Sequence, residues 1–328
     1  MDKHPFAQYV RILGRGKKGS RSLNFDEAEH AMSMILSAQV EPIQLGAFLM
    51  LLRVKEESPE ELAGFVSAVR KSLPPCPEAL KIDLDWSSYA GKRQQQPWFL
   101  LAIMALADAG VRVLIHGSAG HTAGRLYSET ALAQLGFGTS NNWQQVSTAI
   151  EQNGFAYYPL AALCPALESI LHLKAVLGLR SPANSLARLL NPASAKYSLH
   201  SVFHPRYSEI HQQTLALLGQ SDSAIFKGDS GEIERKPDAT LKVLAIAQGA
   251  PCEQLWPRLM EGRSEKLDTL DAQVLAAFWR GQQADEYGEL AVTGTLAVAL
   301  KLLGRADNQD EAMQLAQETW SARNRSRL

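Results

Sequence analysis

A cluster of three prolines at residues 74–77 constrains the fold of this chain more than any other local feature. A proline ring fixes its own φ and lacks an amide hydrogen, so neither a helix nor a central strand can continue through the cluster. Before it, Ser58 and Glu61 form a capping-box motif, and apolar residues follow at helical spacing. The cluster therefore predicts a domain boundary, with a helical domain over residues 1–74 and a second domain over residues 78–328.

Beyond the prolines, short β-rich runs alternate with capped helical patterns. The predicted strands are residues 111–115, 198–203 and 223–226, and the predicted helices are residues 99–109, 142–154, 165–177 and 207–218. Such alternation is typical of a sheet with crossover helices, so the pattern favours the α/β class for the second domain.

Composition excludes several functional classes. The chain has 328 residues, a formal net charge of -1 and three cysteines far apart in sequence, which offer neither a disulfide framework nor a CxxC metal site. The longest apolar run, residues 99–107, ends at Asp108 and is shorter than the roughly 20 residues of a membrane-spanning helix. No apolar signal core follows Met1. We therefore expect a cytoplasmic protein without a membrane partner.

Three segments carry a resemblance to a known family. Residues 48–64 (FLMLLRVKEESPEELAG), 109–117 (AGVRVLIHG) and 191–193 (NPA) resemble, in order, the anthranilate phosphoribosyltransferase-like proteins of glycosyltransferase family 3. The resemblance implies a nucleoside phosphorylase/phosphoribosyltransferase-like fold, with a small N-terminal helical domain and a large α/β domain whose mixed, mainly parallel sheet is flanked by helices. It also implies a homodimer formed through the helical domain, which helices from about residues 165–190 would join.

The family's substrate-binding motifs are altered here. The family holds phosphoribosyl diphosphate with a Gly-Thr-Gly-Gly-Asp loop, but the corresponding residues 86–93 contain one glycine, Gly91. In the next motif, Lys-His-Gly-Asn, the lysine is replaced by Ile115 and the asparagine by Ser118, while His116 is retained. A degenerate site without catalytic residues is expected. In the alternative interpretation, His116 and Ser118 are catalytic residues of a phosphoribosyl (pentosyl) transferase with an unidentified acceptor.

The acidic pair that resembles the family's magnesium site is also changed. Adjacent Asp-Glu becomes Glu232 and Glu234 with one residue between them. The inserted residue departs from the family's adjacent pair, which disfavours the coordination of one magnesium ion by both carboxylates. We expect no metal or cofactor and solvated acids at both positions; in the alternative interpretation they bind Mg²⁺.

Several replacements instead introduce cations. Lys92 and Arg93 stand in the altered diphosphate loop, and Lys174 and Arg188 replace an arginine and a small apolar pair of the family's acceptor pocket. A further cluster lies in residues 11–21, which contain five cations and no acid. Its members are Arg11, Arg15, Lys17, Lys18 and Arg21. Glycines between them predict a flexible loop open to a polyanion.

These cations predict that the protein binds nucleic acid, DNA or RNA, through the phosphate backbone with little sequence preference. The chain resembles the non-catalytic, nucleic-acid-binding branch of the family, the YbiB-type proteins, which implies binding as a homodimer. Blander interpretations remain open: residues 11–21 as a solvated linker, Lys92 and Arg93 in salt bridges with nearby acids, and residues 323–327 as a disordered terminus. A structural partner protein that docks another chain through its helical domain is a further alternative.

Overall fold

The computed structural model describes residues 3–16, 18–120 and 122–328, and these ranges form fifteen α-helices and seven β-strands. The helices are α1 (Ala7–Gly14), α2 (Phe25–Leu36), α3 (Pro42–Lys55), α4 (Pro59–Ser72), α5 (Phe99–Asp108), α6 (Ser128–Gln134), α7 (Trp143–Asn153), α8 (Leu160–Leu163), α9 (Pro165–His172), α10 (Lys174–Leu177), α11 (Ala183–Leu186), α12 (Arg206–Leu217), α13 (Ala272–Arg280), α14 (Glu286–Leu302) and α15 (Gln309–Ser321). The strands are β1 (Leu84–Ser88), β2 (Val113–Gly117), β3 (Phe155–Pro159), β4 (Tyr197–Val202), β5 (Asp222–Lys227), β6 (Leu241–Ala247) and β7 (Ala250–Trp256). Among the described residues, no helix has both the length and the apolar character needed to cross a bilayer.

All seven strands lie in one sheet with the order β3-β2-β1-β4-β5-β6-β7. The strands from β3 to β5 are parallel to one another, whereas β6 is antiparallel to β5 and β7 is antiparallel to β6. Chain order runs in opposite directions on the two sides of the β1–β4 pair. The carboxyl ends of β1 and β4 therefore mark the topological switch point, where open α/β sheets bind ligands. The predicted fold class, a small helical domain plus a large α/β domain with a mixed, mainly parallel sheet, is confirmed.

The two faces of the sheet supply two hydrophobic cores, because successive side chains of a strand point to opposite faces. Leu84 and Trp86 of β1 pack in one core with α5, α13, α14 and α15. Leu114 of β2 and Ile225 of β5 pack in the other core with α1–α4 and with α8, α9 and α11. The N-terminal helices and the helices that follow β3 thus share one core and cover the same face of the sheet.

Local sequence signals set several helix ends. Asn24 and Ser58 each accept a hydrogen bond from the backbone N–H three residues later, and both helix starts form capping boxes. Asn142 caps α7, which ends at Gly154 in the left-handed conformation (φ 75°). Residues 165–177 form two helices rather than one, because the Leu173 N–H bonds to the carbonyl of Ile170 in a 3₁₀-type turn between α9 and α10.

The C-terminal residues are ordered, so the interpretation of residues 323–327 as a disordered terminus is wrong. Arg323 is buried, with its guanidinium carbon 3.7 Å from the ring centroid of Trp320. Arg327 forms an ion pair with Asp108 at 2.5 Å. Asp108 ends α5, which leads into β2, and the tail therefore lies at the amino edge of the sheet, opposite the switch point.

Candidate functional site

Three loops meet at the carboxyl edge of the sheet and form the floor of the crevice at the switch point. Residues 89–93 follow β1, residues 203–205 follow β4, and residues 228–235 follow β5. The three strands are neighbours and parallel, so loops far apart in sequence come together at one edge. Arg125 joins two of these loops, since its Nη1 donates hydrogen bonds to two backbone carbonyls of the first loop, at 3.0 and 2.9 Å, and to Ser230 at 3.3 Å.

The carboxylate of Glu232 occupies the centre of this floor. Its Oε1 accepts hydrogen bonds from the backbone N–H groups of Ala90 and Gly91, both at 2.6 Å, and its Oε2 accepts one from the Ser88 hydroxyl at 2.9 Å. The residue is fully buried. Consecutive backbone N–H groups that converge on one anion form a nest of the kind that binds phosphate. Here the protein's own carboxylate fills the nest.

A glycine-dependent turn places Glu232 there. A Cβ at Gly228 would lie 1.8 Å from the backbone oxygen of Glu232 and 2.6 Å from the Ser201 hydroxyl, so a larger residue does not fit. Ser230 and Gly231 follow with φ of 58° and 90°, in the left-handed region. The turn folds Glu232 back beneath the loop after β1. The expectation that this acid is solvated is therefore wrong.

Lys92 lies in the same layer and is also fully buried. Its ammonium forms hydrogen-bonded ion pairs with the carboxylates of Asp229 and Glu234. Glu234 is fully buried as well and accepts a hydrogen bond from the Phe99 N–H at 2.9 Å. The prediction that Lys92 binds nucleic acid is wrong, because its ammonium is buried and paired with the carboxylates of Asp229 and Glu234. The expectation that Glu234 is solvated is also wrong, because its side chain is fully buried.

This network contains one positive charge, on Lys92, and two carboxylates, those of Asp229 and Glu234. The pKa shifts of the three groups follow from their burial and from this unequal number of charges. Burial opposes the charged form of Lys92, but Glu234 and Asp229 raise its pKa above the ordinary value. Burial acts to raise the pKa of Asp229, yet the charge of Lys92 holds it below its usual range. Burial raises the pKa of Glu234 to about 7. Near neutral pH, Glu234 is therefore the member of the network that takes up a proton.

These residues do not fit the magnesium diphosphate that the family resemblance implies. Glu232 occupies the N–H groups that would hold a phosphate, and Glu234 is paired with Lys92, so both carboxylates of the predicted magnesium pair are engaged inside the protein. Among the described residues, no group of three or more His, Cys, Asp or Glu side chains is arranged to hold a metal ion. A magnesium diphosphate would have to displace an internal carboxylate and an internal ammonium together.

Above the floor lies a cavity of about 130 Å³ lined by Arg53, Arg180 and Arg188, named here the arginine cavity. Arg188 comes from the turn after α11 and is 9% exposed. Its Nη1 donates to two backbone carbonyls, at 3.2 and 2.9 Å, which fixes the guanidinium at the cavity wall. The structure therefore places Arg188, a predicted nucleic-acid ligand, at the switch-point crevice.

The charges that line the arginine cavity favour an anion over a cation. Burial, together with the charges of Arg125 and Arg53, lowers the pKa of Arg180. Burial also lowers the pKa of Arg188, with further contributions from Arg180 and Arg125. Several guanidinium groups thus lie close together around one small cavity. Among the described residues, Glu57 is the one acidic residue that lines this cavity, and burial raises the pKa of its carboxyl group. An anion that enters the cavity relieves this repulsion.

A second cavity, of about 440 Å³, lies on the other side of the first turn of α12 and is named here the lysine cavity. Its cationic lining residues are Arg206, Lys227, Lys236 and Lys242. Glu209 is the one acid in that lining. Tyr207 lines the arginine cavity and Ser208 the lysine cavity, so the two cavities are adjacent. Arg206 also reaches the helical domain, where it forms an ion pair with Glu56 at 2.5 Å.

The basic segment of residues 11–21 lies beside α3. Lys17 is outside the described residues, and the other predicted ligands, Arg11, Arg15, Lys18 and Arg21, are exposed. Arg21 forms an ion pair with Glu27 at 2.6 Å. Lys55, the last residue of α3, donates a hydrogen bond to the Ser22 hydroxyl at 3.0 Å. Because Arg53 lines the arginine cavity, the last turn of α3 connects this segment to the cavity.

The remaining predicted residues are less central. Arg93 is exposed, and Lys174 is half-buried and donates to the Thr122 hydroxyl at 3.1 Å; neither lines the arginine cavity or the lysine cavity. His116 is fully buried, with its Nδ1 2.7 Å from the Tyr89 hydroxyl. Ser118, also buried, donates to a carboxylate at 2.8 Å. A catalytic role for His116 and Ser118 finds no support in these positions.

Sequence reasoning missed Arg53, Arg125 and Arg180. They come from the end of α3, from the connection between β2 and α6, and from the connection between α10 and α11. None of them belongs to a cluster of cations in the sequence, and their proximity arises from the fold alone. Arg53 does lie within residues 48–64, a segment that carries the family resemblance, but no charge pattern marks it.

Comparison with known proteins places these features in a family context. The model of the glycosyl transferase family helical bundle domain matches residues 7–73, and that of the glycosyl transferase family a/b domain matches residues 99–322. The uncharacterized protein YbiB of Escherichia coli (strain K12) is 28% identical over 238 residues, which cover 71% of this chain and 73% of YbiB. The anthranilate phosphoribosyltransferase of Methylocella silvestris is 29% identical over 314 residues, covering 93% of this chain and 88% of that protein. The crystal structure of anthranilate phosphoribosyltransferase from Thermus thermophilus is similar with a TM-score of 0.80 at 22% identity, covering 99% of this chain and 96% of that chain.

Proposed function

This chain belongs to the glycosyl transferase family by both its helical bundle domain and its a/b domain, and we propose that it uses this fold to bind nucleic acid. The interface is the basic crevice at the switch point, and the ligand group is the phosphate backbone that DNA and RNA share. Phosphate contacts fix position but carry no base information, so binding is largely independent of sequence. Phosphoribosyl transfer is not part of the proposal.

The observation that carries the proposal is the filled nest at Glu232. A small diphosphate needs the N–H groups of Ala90 and Gly91, and both already donate to the Glu232 carboxylate at 2.6 Å. The positive groups of the crevice lie above this floor, in the arginine cavity. An anion is therefore best accommodated at the rim, which a polymer can reach without entering the nest.

The cations extend far enough to follow a polymer. In one direction, Arg53 leads from the arginine cavity onto the last turn of α3, where Lys55, ion-paired with Glu61, contacts Ser22 next to residues 11–21. In the other direction, basic residues continue past the first turn of α12 into the lysine cavity. Each phosphate neutralised along such a path releases counterions, which is the main source of affinity in sequence-independent binding.

We propose further that two copies associate through α3 and α10. Ile43, Ala47 and Val54 are exposed on one side of α3, and Ile43 and Val54 are 82% and 85% exposed. Val176 of α10 is 82% exposed. Exposed apolar stripes of this kind mark interaction surfaces. A two-fold dimer would double the basic path described above.

Fluorescence anisotropy with a labelled oligonucleotide of mixed sequence tests the proposal. The affinity should fall linearly on a log–log plot against salt, with a slope of about -0.9 per phosphate neutralised for a duplex and about -0.7 for a single strand. Binding that does not depend on salt, or no binding at low salt, would contradict it.

Charge reversals locate the interface. Arg15→Glu combined with Lys18→Glu, and separately Arg180→Glu, should weaken binding to all sequences alike and reduce the salt slope by about one for each lost contact. Arg305→Glu is the matched control, because Arg305 is exposed but bonds to the carbonyl of Ala109 at the opposite edge of the sheet. Equal losses in the control and in the crevice variants would refute the assignment of the interface.

Calorimetry with phosphoribosyl diphosphate and Mg²⁺ separates the proposal from transferase activity. No magnesium-dependent binding is expected, because Glu232 and Lys92 hold the positions that the diphosphate and the metal need. Tight, magnesium-dependent binding would overturn the proposal and favour a transferase with an unidentified acceptor.

A further inference from the structure

Phe203 stands on the ridge between the arginine cavity and the lysine cavity. It follows the last residue of β4 and lines the arginine cavity, while Pro205 and Arg206, two and three residues later, line the lysine cavity. The side chain is 50% exposed. Among the described residues, the other large apolar side chains that are exposed are all aliphatic, so Phe203 is the one aromatic side chain of this group.

The Phe203 side chain has neighbours at its base and at its ring. The turn that carries Glu232 lies beside its base, since a Cβ at Gly231 would lie 3.7 Å from the Phe203 Cβ. The ring of His204 packs edge-on against the Phe203 ring, with the centroids 4.9 Å apart. These contacts limit the motion of the ring while half of its surface stays accessible to solvent.

The ridge lies in the path that the proposed nucleic acid would follow. Cations line both sides of it, with Arg180 and Arg188 in one cavity and Lys227 in the other. A strand whose phosphates reach both cavities must pass its nucleotides over Phe203. Every base presents a π-face on which an aromatic ring can stack, at any sequence, provided that the base is not already stacked inside a duplex.

We propose that Phe203 is a stacking platform for an unpaired base and that single-stranded nucleic acid is the preferred ligand of the crevice. The inference rests on the proposed function and adds the strandedness of the ligand and the residue that selects it. The cations of the two cavities hold the backbone, and the ring discriminates between unpaired and paired bases. Discrimination by stacking alone leaves binding independent of sequence.

The test compares wild type with Phe203→Ala in anisotropy titrations at one fixed salt concentration. The probes are single-stranded DNA and RNA of about 20 nucleotides, the DNA duplex of the same sequence, and a strand of the same length with abasic sites throughout. Loss of one stacked base should weaken single-strand binding by about 5- to 150-fold. Affinity for the duplex and for the abasic strand should change by less than about twofold.

Two further variants guard against a structural effect. Phe203→Trp keeps an aromatic face and should retain single-strand binding. Leu255→Ala is the matched control, because Leu255 is 65% exposed on β7 and lines neither cavity, and it should leave all affinities unchanged. Unchanged melting temperatures in the three variants would show that the fold is intact.

Three results would overturn the inference. Equal losses for single strand and duplex in Phe203→Ala would assign the ring a structural role, and no loss on any probe would remove it from the interface. Failure of Phe203→Trp to retain binding would also exclude stacking. If wild type binds none of the probes, the proposed function itself fails, which is distinguishable because the first three results require a wild type that binds.

Discussion

Replacing Lys92 with methionine tests the buried network beneath the crevice. Methionine fills a similar volume without charge, so the substitution removes the ammonium and leaves the packing largely intact. Glu234 and Asp229 then lose their cation while their side chains stay 0% and 13% exposed. Removing one partner of a buried ion pair costs about 3–5 kcal/mol of unfolding free energy, because the remaining charge is left uncompensated.

The cost should depend on pH through Glu234. Burial raises the folded-state pKa of Glu234 to about 7, above its value of about 4.3 in an unfolded chain. A group with a raised folded pKa contributes stability that is complete below the unfolded pKa and is lost as the pH rises through the folded pKa. Lys92 restrains that pKa, so Lys92→Met raises it further. The variant should therefore lose more stability at about pH 8.5 than at about pH 5.5.

Urea denaturation followed by tryptophan fluorescence measures the effect at both pH values. Lys71→Met is the control, because Lys71 pairs with Glu29 at the surface with a side chain 66% exposed, and its loss should cost about 0–1 kcal/mol. The double variant Lys92→Met, Glu234→Gln should recover part of the loss by removing one uncompensated carboxylate. A loss below about 1 kcal/mol at the higher pH, or equal losses at both pH values, would refute this account of the network.

Other variants test the nest, its turn and the apolar stripe. Glu232→Ala empties the nest, so inorganic pyrophosphate should raise the melting temperature of this variant more than that of wild type; an equal response of both proteins would contradict the account. Gly228→Ala forces a Cβ to 1.8 Å from a backbone oxygen and should cost about 3 kcal/mol or more in urea denaturation. Gly138→Ala, where a Cβ meets nothing within 4 Å, should change stability by less than about 0.5 kcal/mol. Val54→Glu should convert the proposed dimer to a monomer in light scattering, and Val54→Ala should not.

Elements set by neighbouring residues were predictable from the sequence. The capping motifs at Asn24 and Ser58 and the Asn142 cap of α7 act within one helical turn, so the sequence displays them directly. The strand predicted at residues 111–115 begins at Val113 instead, because the Val111 N–H closes the end of α5 on the carbonyl of Leu106. Strands β1, β3, β6 and β7 have no counterpart among the predicted strands.

The interior of the site was not predictable in the same way. Glu232 and Glu234 have the spacing of solvated loop acids, and their burial depends on partners about 140 residues earlier in the chain. The residues next to Lys92 in the sequence do not indicate that its ammonium is buried. The guanidinium groups of the arginine cavity likewise come from separate elements, whereas Arg188 was found because the resemblance placed it in a pocket. Contacts between distant segments require the fold before they can be identified.

The filled nest also has an evolutionary consequence. A substitution at Glu232 alone would free the backbone N–H groups, but Lys92 would still hold Asp229 and Glu234, and a divalent cation would gain no ligands. A substitution at Lys92 alone would weaken the fold before any new activity appeared. Single substitutions at the rim of the crevice can therefore change which polyanion such a chain prefers. Binding of a metal-bound diphosphate requires simultaneous substitutions on two loops.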